Sequence, residues 1–181
     1  VAKVSIPDDE QPILTLGGTT TLTVSEMVSV VLSCPGSLPI TPKTQLTLQG
    51  GARIDSGGTL CIDGWLKGDI VLNGGTLQVD ANTTIASDSS ISLMLSSSIN
   101  IIEGTSLIYE GDSLNINDTT LTVYGSGTLS NTNALVLNNA NSKLLLNSIT
   151  VDNVSTSVDN SLGVDVDADS TVSSLSVANT T

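Results

Sequence analysis

The stretch Gly57-Gly58-Thr59-Leu60-Cys61-Ile62-Asp63 recurs 17 residues later as Gly74-Gly75-Thr76-Leu77-Gln78-Val79-Asp80. Glycine allows the positive φ of a sharp corner, and the alternation that follows sends Leu and Ile or Val to one face of a strand and the residue between them to the other. A looser version opens at Gly17-Gly18-Thr19 and runs through Leu22 and Val24. Outward from these units, short aliphatic triplets continue: 46–48, 52–54, 70–72, 91–93, 107–109, 114–116, 121–123, 135–137 and 144–146. Each reads as a half-buried strand of about three residues. Middle positions 71 and 78 differ by 7, as do 108, 115 and 122, while 47, 53 and 61 are 6 and 8 apart.

That spacing decides the architecture. A sandwich or barrel would show longer strands with turn signals about every 8 to 12 residues. Three faces of about seven residues instead make a coil of roughly 20 to 22, in the range of stacked repeats. The expected fold is all-β: a β-solenoid, with a right-handed parallel β-helix as its leading form. Residues 45–181 provide about six coils, each rising about 4.8 Å. Residues 1–44 read as a separate end section. It comprises a strand from Val1 to Ile6, an acidic connector from Pro7 to Pro12, and an apolar strand from Met27 to Cys34 before Pro35-Gly36. The first strand belongs either to its own domain or, as an added strand, to a neighbouring copy.

Composition narrows the function. The 181 residues carry 5 Lys and Arg against 18 Asp and Glu, a formal charge of -13. Five basic residues do not neutralise a run of phosphates, so neither nucleic acid nor an anionic membrane surface is an expected partner. The chain has no His and no Phe. That removes the commonest general base, the commonest metal ligand and every Ser-His or Cys-His nucleophile. A non-enzymatic role is expected. Leu, Ile and Val number 55, enough for a folded core, yet no stretch approaches the roughly 20 apolar residues of a membrane span. The chain begins at Val, which reads as a processed mature protein or a fragment. Abundant Ser, Thr and Asn with few charges suit a secreted or cell-surface form.

Several residues stand out as candidate sites. Cys34 and Cys61, 27 positions apart, suit a disulfide clipping the end section to the first coil, with two buried free thiols as the plainer reading. Asp165, Asp167 and Asp169 alternate, so an extended strand would put three carboxylates on one face, where hard oxygen ligands hold Ca²⁺. No Gly follows Asp169, and Ser176 stands where a calcium loop has its bidentate Glu, which favours a solvated acidic face extended by Asp112, Asp118, Asp152 and Asp159. No other cofactor is expected. Sequons occur at Asn82, Asn117, Asn153 and Asn179, about as many as this composition produces by chance. Trp65, Tyr109 and Tyr124 are too scattered for the aromatic platform of a polysaccharide-cleaving enzyme, which ranks third among the readings.

The repeat units and the triplets with Asn- and Ser-rich corners, over residues 45–180, resemble those of bacterial β-helical surface proteins such as autotransporter passengers and filamentous haemagglutinin-like adhesins. The resemblance implies an extracellular scaffold or adhesive fibre and carries over no functional residue. Solenoid ends are open strand edges that natural repeats usually cap with polar residues. Ser170 to Thr181 carries no charge but includes Val172, Leu175 and Val177. These three, with Val1, Val4 and Ile6, form the expected polymer interface between copies, through which a secreted structural subunit would assemble head to tail into an extracellular filament. The alternative is an adhesin or passenger fragment that binds a cell-surface ligand.

Overall fold

A computed structural model describes residues 2–3, 13–16, 22–24, 27–30, 45–157 and 163–178. It is a β-solenoid: parallel strands stacked in about six turns, with no helix among the described residues. The alternation in the triplets is what builds it. Ile54, Leu60, Leu77, Leu121 and Leu144 are buried, and so are their partners two residues on or back: Ala52, Ile62, Val79, Val123 and Leu146. The residues between them are half-buried or exposed, except Cys61.

The strands lie on three faces. Face one holds β1 (Ala2–Lys3), β4 (Met27–Val30), the first halves of β7 (Thr59–Lys67) and β9 (Thr76–Ile85), β11 (Ser97–Ile101), β14 (Thr120–Tyr124), β17 (Lys143–Asn147) and β19 (Val164–Val166). Face two holds β2 (Ile13–Leu16), β5 (Gln45–Leu48), the second halves of β7 and β9, β12 (Ser106–Tyr109), β15 (Thr128–Asn131), and the first halves of β18 (Thr150–Ser157) and β20 (Thr171–Ala178). Face three holds β3 (Leu22–Val24), β6 (Ala52–Asp55), β8 (Ile70–Asn73), β10 (Ile91–Leu95), β13 (Leu114–Ile116), β16 (Leu135–Leu137) and the second halves of β18 and β20. From β6 onward, paired residues lie between 17 positions apart, as Thr59 and Thr76, and 24, as Ile99 and Val123. Each coil therefore stacks aliphatic on aliphatic, as in Leu60–Leu77–Ile99–Val123–Leu146–Val166. Such columns bury small branched side chains efficiently and explain the shortage of aromatic rings.

The two copies of the opening motif stack directly, Thr59 on Thr76 and Leu60 on Leu77. Their glycines divide the labour. Gly57 and Gly74 have φ of 82° and 86°. Gly75 has no room for a Cβ, which would collide with Ile54 Cγ2 and stand 2.7 Å from Asp55 O. The looser third version does not join this stack: Leu22–Val24 pairs with Ala52–Ile54 on face three.

Beside the backbone-to-backbone bonds at the turns, several corner donors are satisfied by short polar side chains from the adjacent coil. The backbone N–H groups of Gly68, Gly74, Asp118 and Ile149 donate to the hydroxyls of Ser89 (2.8 Å), Ser97 (2.9 Å), Ser142 (3.1 Å) and Ser170 (3.1 Å). Ser90 N donates to Asp69 Oδ1 (3.1 Å) and Ser106 N to Asn82 Oδ1 (2.9 Å). This is the structural use of the Ser- and Asn-rich corners, because a buried corner N–H without an acceptor costs about 1–3 kcal/mol.

The N-terminal strands extend the solenoid's own ladders. β1 pairs with β4, β2 with β5, β3 with β6 and β4 with β7, all in parallel. Face three is interrupted between β10 and β13, where the β10 register shifts between Leu93 and Leu95. Tyr109, 1% exposed, fills the interior beside this break, and its hydroxyl accepts from Ile91 N at 3.2 Å.

Candidate functional site: the open terminal coil

The last coil, made of β19 and β20, is the most exposed part of the apolar interior. Its residues continue the core columns: Val164 pairs with Leu144, Val166 with Leu146, Val172 with Val151 and Leu175 with Val154. The inner partners are at most 1% exposed, whereas Val166 is 42% and Leu175 56% exposed. Val164 and Val172 pack partly against the core. Among the described residues no strand pairs with the outer edge of β19 or β20. Among the described residues, the result is an apolar end face whose outer strand edge no other strand pairs. Of the expected interface residues, Val172 and Leu175 lie on it. Val177 pairs with Thr156 through β20, and Val1, Val4 and Ile6 lie outside the described residues.

The three alternating aspartates are not on one strand face, because β19 ends at Val166. Asp165 is on the strand, and its carboxylate stands 3.6 Å from Lys143 Nζ. Asp167 is in the turn that follows. Its two oxygens accept from Ser148 N at 3.0 Å, and Oδ1 also accepts from the Ser170 hydroxyl at 2.6 Å. The Ser170 hydroxyl, then the Ser148 amide, hold the Asp167 carboxyl below its ordinary range. Ser148 has φ of 53°, so this carboxylate fastens a left-handed corner of the preceding coil. Asp169 is exposed. No group of three or more acidic or sulfur ligands converges among the described residues.

The other acids serve the ladder as well. Asp152 accepts from the hydroxyls of Ser130 (2.6 Å) and Ser173 (3.3 Å) on the coils either side, and Asp118 accepts from Asn139 Nδ2 (2.9 Å). Asp112 is exposed, and Asp159 lies outside the described residues.

Cys61 carries a free thiol in the structure, 4% exposed, with its pKa raised by burial and then by the charge of Asp80. Cys34 lies outside the described residues. Of the sequons, Asn82 and Asn117 are exposed, though each side-chain oxygen accepts a hydrogen bond from a neighbouring coil. Asn153 donates its Nδ2 to Asn131 O at 2.6 Å, which ties up the atom a glycan would need. Asn179 lies outside the described residues.

The three rings do not assemble. Tyr109 is buried, Tyr124 is on face one and Trp65 on face two. Trp65 lines a cleft of about 280 Å³ with Lys67, Ala86, Ser87 and Asp88. Its indole N–H is buried without a partner, and Lys67 is ion-paired to Asp88.

Sequence reasoning missed the inward polar residues Thr83, Ser97 and Asn131, which are 1%, 5% and 2% exposed. Their signal was a polar residue in phase with an aliphatic two positions away, as in Thr83 and Ile85 or Leu129 and Asn131.

Comparison with protein-family models, curated proteins and solved structures gives no match for this chain. No helix among the described residues is long and apolar enough to cross a membrane.

Proposed function

We propose that this chain is a secreted, non-enzymatic structural subunit that stacks head to tail through its solenoid ends into an extracellular filament. The observation that carries the reading is the Val154–Leu175 step. One coil inward the column is 1% exposed, and at the end it is 56% exposed. An apolar edge of unpaired parallel strand is a template for another parallel strand, and the supply nearest in chemistry is the opposite end of the same solenoid. The strand ladders among the described residues are parallel, so the two ends of the stack differ and a contact between them is heterologous, which yields an open filament. Repulsion between the acidic sides, at a net charge of -13, would oppose lateral clumping.

Negative-stain microscopy and sedimentation of the purified chain over a concentration series test this. Unbranched fibres one solenoid wide are expected above a critical concentration, and monomers at every concentration overturn the reading.

A second reading is an adhesin or autotransporter-passenger fragment that binds a cell-surface ligand through its side. It is favoured by exposed apolar residues on the coil of β10 to β12: Met94 at 57%, Leu95 at 53% and Ile108 at 40%. Cell binding lost in Met94→Ser/Leu95→Ser with fibre formation unchanged would support it.

A further inference from the structure

Four asparagines precede a glycine or serine, the pairings in which the next backbone nitrogen is least hindered from reaching the side-chain amide: Asn73-Gly74, Asn141-Ser142, Asn147-Ser148 and Asn160-Ser161. Asn160 lies outside the described residues. By sequence the glycine pair is the most reactive, because glycine has no Cβ to obstruct the approach. The fold restrains that pair at both reacting groups. Asn73 Nδ2 donates to Asp55 Oδ1 at 2.6 Å, and Gly74 N donates at 2.9 Å to the hydroxyl of Ser97, which is 5% exposed. Asn141 Nδ2 stands 3.5 Å from Asp118 Oδ1, while Ser142 is buried and its N donates to Asn139 O at 3.0 Å. Asn147 differs. It is exposed, and its side chain makes no hydrogen bond among the described residues. Ser148 N is held by Asp167, both of whose oxygens accept from it at 3.0 Å, and Asp167 opens an exposed turn.

We infer that Asn147 is the site of deamidation in the folded chain, that Asp167 guards it, and that the fold thereby moves the reaction away from Asn73. In the reaction Ser148 N gives its proton to hydroxide and attacks Asn147 Cγ. The Cγ–Nδ2 bond breaks, ammonia leaves with a proton from water, and a cyclic imide joins the two residues. Water opens the imide at either carbonyl, giving aspartate or isoaspartate with no change of oxidation state. The corner restrains the first step in two ways. Asp167 occupies the N–H, and its negative charge opposes the anion that the nitrogen must become. Both restraints vanish whenever the turn at Asp167 opens, and an exposed turn held by side-chain bonds opens more readily than the buried corner at Ser97. Ser148 also holds a φ of 53°, a conformation unfavourable to a residue with a Cβ, which opening releases. The products make the change lasting. Isoaspartate adds a methylene to the main chain at the end of β17, and either acid adds a negative charge one residue from the Asp167 anchor, where like charges repel.

Incubation of the purified chain in mildly alkaline buffer, followed by peptide mass mapping that separates aspartate from isoaspartate, tests the inference. In the folded chain Asn147 is expected to convert about tenfold faster than Asn73 or Asn141. In denaturant Asn73 should lead instead. Asp167→Ala should speed conversion at Asn147 about tenfold and leave Asn73 and Asn141 unchanged, because it removes the bond at that corner alone. Asn147→Gln should abolish the signal from its peptide. Circular dichroism verifies each fold, and if Asp167→Ala does not fold, Asp167→Asn, which keeps an acceptor but loses the charge, takes its place in the same comparison. Asn73 or Asn141 converting first in the folded native chain overturns the inference. So does a folded Asp167 variant in which Asn147 converts no faster than in the native chain, and so does Asn147 leading in denaturant as well.

Discussion

Asn131→Leu puts an aliphatic where the pattern of the chain would place one, and it should destabilise the solenoid. Asn131 is 2% exposed and stands in the inward column below Ile85 and Tyr109. Its Nδ2 donates to Asn133 O and to Asn153 O, both at 2.7 Å, and its Oδ1 accepts from Asn153 N at 3.2 Å. Leucine leaves two carbonyls and one amide without partners. At about 1.5 kcal/mol each, with Asn153 partly reached by water, the loss is about 4 kcal/mol. Burying the leucine returns about 1.5 kcal/mol, for a net cost of about 2.5 kcal/mol. Urea unfolding followed by far-ultraviolet circular dichroism measures the total, and hydrogen exchange at Asn153 N reports the site. Asn131→Asp should be worse at neutral pH, because a carboxylate faces two carbonyls, and should recover on acidification as a proton returns one donor. A leucine variant within about 0.5 kcal/mol of the native chain, with Asn153 N still protected, would refute the reasoning.

Further outcomes follow from the terminal coil and from Cys61. Leu175→Glu should leave the monomer nearly unchanged, since Leu175 is 56% exposed, yet suppress fibres, whereas Val154→Asp, one coil inward, should prevent folding; thermal melts and sedimentation separate the two. The Asp167 carboxyl is held low in the folded state by Ser170 and Ser148. Its stabilising effect is therefore present above the ordinary aspartate range and lost as pH falls through the lowered value, so exchange at Ser148 N should accelerate on acidification, and Asp167→Asn should flatten that dependence. Under reducing conditions Cys61 should resist alkylation until denaturant is added, as burial keeps its thiol protonated; peptide mass mapping reads this directly.

What was legible in the chain was whatever repeats locally. The aliphatic triplets became strands because side-chain alternation is a property of the extended backbone itself, and the Gly-Gly-Thr units became stacked corners because φ and the space for a Cβ are local needs. β11 and β15 were less visible, since Ser97 and Asn131 occupy inward positions and look like loop residues until the neighbouring coil supplies their hydrogen bonds. The aspartate triplet misled for a related reason. Alternation implies a shared face only while the strand continues, and β19 stops at Val166.

The sequence by itself determined the solenoid, its short period and the aliphatic character of its interior. Only the tertiary structure decided which polar residues turn inward, that Asp167 fastens the corner at Ser148, that Cys61 is buried in an otherwise outward column, and that β1 and β19 stand on one face. Those facts depend on register between residues about twenty positions apart or at opposite ends of the stack. Register is set by the sum of contacts between coils, which no single stretch of chain contains.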